Sequence, residues 1–136
     1  MNVGRQNILV IDDDVIMQRL IMTVLTKAGY TVRTASHVKA GLDMLREQTP
    51  DLVLCDMILP QINGLDFLRM CRSTPELSNL KVIIISSASD NQNLGEALTL
   101  GAVAYLSKPF TQAQLLDVIA DYRKFIALHN ESNGPA

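Results

Sequence analysis

Asp51-Leu52-Val53-Leu54-Cys55-Asp56-Met57-Ile58-Leu59-Pro60-Gln61-Ile62-Asn63-Gly64 is the stretch on which the fold turns. The apolar run Leu52 to Cys55 lacks polar alternation, which is the pattern of a short strand covered on both faces, as in a parallel sheet. It ends on a carboxylate, Asp56. A loop punctuated by Pro60, Asn63 and Gly64 then leads into a new helical pattern. Open parallel sheets bind ligands outside the carboxyl ends of their strands, so Asp56 stands where chemistry is expected. Strand ends also turn polar simply as solvated turns, and the neighbouring strands decide between the two readings.

Upstream, Ile8 to Ile11 is an apolar strand followed directly by Asp12-Asp13-Asp14. Apolar residues then fall at Met17, Leu20, Ile21, Val24, Leu25 and Ala28, the stripe of an amphipathic helix, with Asp14 as N-cap and Gly29 as stop. Tyr30 to Ala35 reads as a weaker strand. Ser36 then caps a helix with Val38, Gly41, Leu42 and Leu45 inward, broken by Thr49-Pro50. Downstream, Gly64 to Arg72 predicts a helix with Leu65, Leu68 and Cys71 inward, and Ser73 to Leu80 a loop. Val82-Ile83-Ile84-Ile85 is the most β-branched run and predicts a central strand ending at Ser86-Ser87-Ala88-Ser89. Asn91 to Leu100 is a weak helix, since Gly95 costs ~1 kcal/mol against alanine. Val103 to Leu106 is the fifth strand, followed by Ser107-Lys108-Pro109-Phe110. A last helix from Gln112 to Leu128 turns Leu115, Ile119, Tyr122 and Ile126 inward.

Strand and helix thus alternate throughout, which predicts an α/β, doubly wound, five-stranded parallel sheet with five flanking helices and right-handed crossovers. At 136 residues the chain is read as one domain over 7–128, with short tails at 1–6 and 129–136. Hydrophobic residues at 48% and charged residues at 19% describe a globular protein, and a net charge of −2 excludes electrostatic, sequence-independent nucleic-acid binding. Nothing resembles a signal peptide or a membrane span. Cys55 and Cys71 have no metal-ligand spacing and read as reduced, buried thiols of a cytoplasmic protein.

The residues at the strand ends collect on one edge of such a sheet: Asp12, Asp13 and Asp14 after the first strand, Asp56 after the third, Ser86 and Ser87 after the fourth, Lys108 after the fifth. Clustered carboxylates repel and cannot all stay ionised without a countercharge. A hard divalent cation with oxygen ligands resolves this, and an open site favours Mg²⁺. Each member alone has a plainer reading: an aspartate run starts helices, Ser-Ser-Ala makes turns, and Lys-Pro marks a boundary. Their joint occurrence at four strand ends in this order does not.

Taken together, Ile8-Leu9-Val10-Ile11-Asp12-Asp13, Asp56 with Pro60 and Gly64, Ser87-Ala88, and Tyr105-Leu106-Ser107-Lys108-Pro109-Phe110 resemble the receiver domain of bacterial two-component response regulators, chemotaxis-regulator-like, from about Asn7 to Leu128. The resemblance implies a flavodoxin-like sheet in strand order 2-1-3-4-5 and a phosphorylation-dependent signalling switch, not an enzyme beyond self-phosphotransfer and autodephosphorylation. Asp56 is implied as phosphoacceptor, and Asp12, Asp13, Asp56 and the carbonyl of Ile58 as holders of Mg²⁺. Ser87 is implied as switch hydroxyl, Lys108 as phosphate-binding lysine and Tyr105 as switch aromatic. Lys108-Pro109 matches a peptide often cis in that family. Ser87 stands where threonine is commoner, and Ile58 and Ser89 fall where the family varies and phosphoryl lifetime is tuned. The implied donor is a phosphohistidine of a histidine kinase or phosphotransfer protein. The implied output runs through the face of helix four, strand five and helix five, where Leu116, Phe125 and Leu128 lie off the core stripe. It acts on a downstream protein, a fused output domain or a phosphorylation-dependent homodimer, with no direct contact to nucleic acid or membrane.

Asp12-Asp13-Asp14 also fits the opening of haloacid-dehalogenase-like phosphohydrolases, with Asp12 as nucleophile and Asp14 as acid. That alternative leaves Asp56 without a role. A receiver that has lost phosphorylation would show a gap among Asp13, Asp56 and Lys108, and the chain has none.

Overall fold

A computed structural model of the chain describes residues 6–87, 89 and 93–121. The strands are β1 Asn7–Ile11, β2 Thr31–Ala35, β3 Leu52–Asp56, β4 Val82–Ser87 and β5 Ala104–Lys108. All pair in parallel, in the order β2-β1-β3-β4-β5. The helices are α1 Val15–Lys27, α2 Val38–Glu47, α3 Gly64–Ser73 and α4 Leu94–Thr99, with α5 over 112–121. This is the flavodoxin-like, doubly wound arrangement.

The continuous apolar runs feed two cores. Leu9, Ile11, Val53, Cys55, Val82 and Ile84 point to the side where Val38 and Leu45 of α2, Phe67 and Leu68 of α3 and Ala97 of α4 pack. The alternate residues Ile8, Val10, Leu52, Leu54, Ile83 and Ile85 meet Ile21, Val24 and Leu25 of α1 and Leu115 and Ile119 of α5. A strand buried on both faces has no use for polar alternation, which is why β3 and β4 read so clearly. Edge strand β2 is only half covered, and its sequence signal is correspondingly faint.

Several local expectations are corrected. In α1 the buried positions are Gln18, Ile21, Val24 and Leu25, whereas Leu20 is 41% exposed. The inner face is rotated toward Gln18, whose amide finds acceptors at the strand ends. Asp14 does cap α1, accepting from Ile16 N and Met17 N, and Gly29 adopts the left-handed conformation that ends it. For α2 the cap is His37, not Ser36: its Nδ1 accepts from Ala40 N at 3.1 Å. The Ser73–Leu80 loop contains a 3-10 turn, Pro75–Leu77. Strand β5 runs on to Lys108 because it keeps pairing, Ser86 with Ser107 and Ser87 with Lys108. Leu116 is half-buried against the core and not on a free face. Tyr122, Phe125, Ile126 and Leu128 lie outside the described residues.

Register brings Asp12, Asp56, Ser87 and Lys108 to one edge: Ile11 lies opposite Cys55, Asp56 opposite Ile85 and Ser87 opposite Lys108. Gly64 then brings the start of α3 hard against the end of β3. Its N–H donates to Met57 O at 2.9 Å. A Cβ at this position would stand 2.7 Å from Asp56 O and 2.9 Å from Met57 Cα.

Those two neighbours are backbone and cannot step aside. Gly64→Ala gains up to ~1 kcal/mol of helix propensity, but overpacking of this kind costs about 1–3 kcal/mol. The variant is expected to unfold at lower urea concentration than wild type; an unchanged or higher midpoint would show that β3 and α3 are not in close contact here.

Candidate functional site

The carboxyl edge of the sheet opens into a cleft of about 440 Å³ lined by Asp12, Asp13, Asp14, Asp56, Ile58, Ser87, Ser89 and Lys108. Asp12 follows the last paired residue of β1 and is fully buried. Its Oδ1 accepts from Asp14 N at 2.9 Å. Its Oδ2 has no hydrogen-bond partner among the described residues. Asp56 is the last residue of β3 and 6% exposed. Both of its oxygens are held: Oδ1 accepts from Ile58 N at 3.1 Å, and Oδ2 accepts from Lys108 Nζ at 2.7 Å. The same ammonium lies 3.8 Å from Asp12 Oδ2. The peptide after it, Lys108-Pro109, is cis.

Charge is unevenly matched here. Burial pushes the Asp12 carboxyl above its ordinary value; the Asp14 N–H opposes this, the nearby Asp56 charge adds to it, Lys108 opposes it and Asp13 adds to it. For Lys108 burial pulls the ammonium down, but the hydrogen bond and charge of Asp56, with Asp12 and Asp14 behind it, outweigh burial and hold it above the ordinary lysine value. Asp12, Asp13 and Asp56 each offer a carboxylate oxygen, all within 4.8 Å of one another. An all-oxygen donor set with an orphaned buried oxygen and more anions than cations fits a hard divalent cation.

The residues named from sequence are mostly brought together. Ser87 reaches the cleft, with its Oγ 2.8 Å from Ser89 Oγ. Ser86 does not line it, and is buried with its hydroxyl unpartnered among the described residues. Ile58 lies on the rim, 57% exposed. Tyr105 stands outside the cleft in β5 with its side chain 48% exposed, facing a shallower depression beside α5. Asp14 lines the cleft, and its Oδ1 accepts from Ile16 N and Met17 N as the cap of α1. Cys55 and Cys71 are both buried free thiols pushed upward, chiefly by burial, Cys71 to about 11. Gln18 escaped sequence reasoning although it bonds the backbone of Asp12; the one signal was a polar residue among the inward positions of α1.

Asp12 supplies a test of this electrostatic balance. Its pKa in the folded chain lies above the unfolded value near 3.8, so its contribution to stability is present at lower pH and is lost as pH rises through the raised value. Without a bound cation the ionised Asp12 therefore weakens the fold at pH 7. Asp12→Asn is expected to raise Tm by a few degrees in EDTA and to flatten the stability loss between acid and neutral pH, read by thermal denaturation across pH. A lower Tm for the variant in EDTA would mean that the cluster is already neutralised.

Residues 8–120 match the family model described as the response regulator receiver domain. Among curated proteins, the chain is 31% identical over 117 residues to sporulation initiation phosphotransferase F of Bacillus subtilis, covering 86% of this chain and 93% of the relative. It is 34% identical over 116 residues to the transcriptional regulatory protein GltR of Pseudomonas aeruginosa, but there the match spans 85% of this chain and only 48% of the relative. Among solved structures, a response regulator receiver domain protein from Clostridium thermocellum superposes with a TM-score of 0.79 at 35% identity, over 90% of this chain and 98% of that one. No helix among the described residues is long and apolar enough to cross a membrane. With its fold, its acidic cleft and these matches in agreement, the chain belongs to the response regulator receiver domain family.

Proposed function

We propose that Asp56 accepts a phosphoryl group, and that the surrounding cleft makes this reaction a switch. The observation that carries the reading is the Asp56 carboxylate itself: buried at a strand end, held at both oxygens by Ile58 N and Lys108 Nζ, and flanked by Asp12 and Asp13. A carboxylate fixed in this way is an oriented nucleophile.

In the proposed step an Asp56 oxygen bonds to the phosphorus of a phosphohistidine on a histidine kinase or phosphotransfer protein. The phosphorus–nitrogen bond breaks, and its electron pair leaves on the imidazole, which takes up a proton. The product is an acyl phosphate, later cleaved by water. Phosphoryl transfer asks for in-line positioning and neutralisation of the equatorial oxygens. Mg²⁺ held by Asp12, Asp13, Asp56 and the Ile58 carbonyl would supply part of that neutralisation. Lys108 supplies the rest, trading its bond to Asp56 for one to a phosphoryl oxygen. Ser87, at the end of β4, donates to another phosphoryl oxygen and draws the loop after β4 inward. Tyr105, now outward in β5, turns into the space that opens, and the α4–β5–α5 face changes for a downstream partner. Domain limits of 7–128 and a cytoplasmic setting accord with this reading. The chain spans about half the length of relatives such as GltR, so an output domain on the same polypeptide is one form that partner can take. A phosphorylation-dependent homodimer is another.

Incubation with acetyl phosphate and Mg²⁺, followed by intact mass, tests the chemistry. Wild type is expected to gain one phosphoryl group and Asp56→Asn none; a phosphorylated Asp56→Asn protein would move the acceptor elsewhere. Lys108→Met is expected to react roughly 10²-fold more slowly, the usual loss when one preorganised donor to a developing anion is removed. Ser87→Ala should still accept phosphate, yet leave the Tyr105 resonances near their unphosphorylated positions in NMR spectra with beryllofluoride. Full movement of Tyr105 in Ser87→Ala would refute the coupling route while leaving the acceptor intact.

A further inference from the structure

Asp12 is the first residue of the first strand's chain path without a full set of ladder partners. Its N–H still donates to Ala35 O at 3.0 Å, but β1 ends at Ile11 opposite Ala35 and Cys55, so no strand reaches its carbonyl. The residue is fully buried, and a carbonyl there has to find a protein partner. That partner comes from α1. Gln18, 9% exposed on the inner face of the helix, donates its side-chain amide to Asp12 O. It also reaches Ala35 O at 3.3 Å and Ser36 Oγ at 3.1 Å. Two of these three partners are carbonyls, which only accept, so the NH₂ face of the amide must be turned to them. A polar side chain at an inward helix position is otherwise a poor choice, because apolar residues fill the neighbouring inward sites Ile21, Val24 and Leu25.

The consequence reaches the acidic cluster through peptide geometry. A pinned Asp12 carbonyl sets the plane of the Asp12–Asp13 peptide, and with it the position of the Asp13 Cα and the N–Cα axis from which its side chain departs. Asp13 is exposed, and among the described residues no hydrogen bond holds its carboxylate. Its place within 4.8 Å of the Asp12 and Asp56 oxygens therefore depends on its backbone. We infer that Gln18 is a positioning residue for the acidic cluster, holding the Asp12–Asp13 peptide so that both carboxylates face a cation shared with Asp56. The inference rests on the proposed function, for which that cation is Mg²⁺. It adds the element that presets the geometry: an amide from α1 replacing the strand ladder where it runs out.

The test compares Gln18→Met, which keeps approximate volume and removes the donors, with Leu25→Val, which loosens the same helix face two turns away. Mg²⁺ affinity is read by titration calorimetry and stability by thermal denaturation. Gln18→Met is expected to weaken Mg²⁺ binding by about tenfold, as loss of a group that orients metal ligands commonly does, while Leu25→Val keeps wild-type affinity despite its lower Tm. Wild-type affinity in Gln18→Met, or an equal loss in both variants, overturns the inference. If Gln18→Met does not fold, the wild-type protein decides by NMR. The Gln18 side-chain NH₂ signals are expected to shift over the same Mg²⁺ range as the Asp13 amide, and signals that stay fixed overturn the inference. A wild type that takes phosphate and binds Mg²⁺ while Gln18 proves silent removes only this inference. A wild type that binds no Mg²⁺ overturns the proposed function and this inference together.

Discussion

Like charge gathered at one sheet edge is the constraint that orders this molecule. Asp12 and Asp56 are both buried, with oxygens within 4.8 Å. Two unit charges at that separation repel by on the order of 3 kcal/mol at an effective dielectric of about 20. One ammonium, 2.7 Å from Asp56 and 3.8 Å from Asp12, offsets only part of this. The fold therefore holds at its edge an arrangement that relaxes when positive charge or a proton arrives. An acidic edge of this kind fits a hard divalent cation.

Holding such an arrangement requires a rigid backbone, and each part is restrained by a neighbour built for the purpose. Asp56 is placed by β3, clamped between β1 and β4. Gly64 lets α3 begin within van der Waals contact of the Asp56 and Met57 backbone. Asp14 closes the first turn of α1 by accepting from Ile16 N and Met17 N, and α1 in turn presents Gln18 to Asp12. The charges are poorly matched, but the backbone beneath them is bonded at Asp12 N, Asp12 O, Met57 N, Ile58 N and Gly64 N.

The far side of the site is built differently. Helix α4 has six residues, no side-chain cap bond and a glycine at Gly95. A helix so short does not persist alone in water, so its position depends on what it touches. Arg69 of α3 pairs with Glu96. Arg72, from the last turn of α3, donates to Leu100 O at 2.7 Å, Ser78 O at 2.8 Å and Gly101 O at 3.0 Å. Its Ala97 is also buried in the core beside β1, β3 and β4, so packing and the arginines of α3 together set where this short helix lies.

The sequence by itself determined the alternation of strands and helices, the apolar runs of β1, β3 and β4, and the gathering of Asp12, Asp13, Asp56, Ser87 and Lys108 at strand ends. The reason is that burial on both faces writes an unbroken apolar run into the chain, and its end is marked where polarity returns. Tertiary structure alone decided which face of α1 turns inward, that His37 and not Ser36 caps α2, and that β5 continues through Lys108. It also decided that Ser86 stays out of the cleft while Ser87 enters, and that Leu116 packs against the core. Each of these depends on what a neighbouring element offers: an acceptor at the end of β2 for Gln18, a pairing partner in β4 for Ser107 and Lys108, an apolar surface for Leu116. Periodicity records how much of a residue is buried, but not which partner buries it. A glutamine among inward positions becomes intelligible only once the strand ends beneath it are in place.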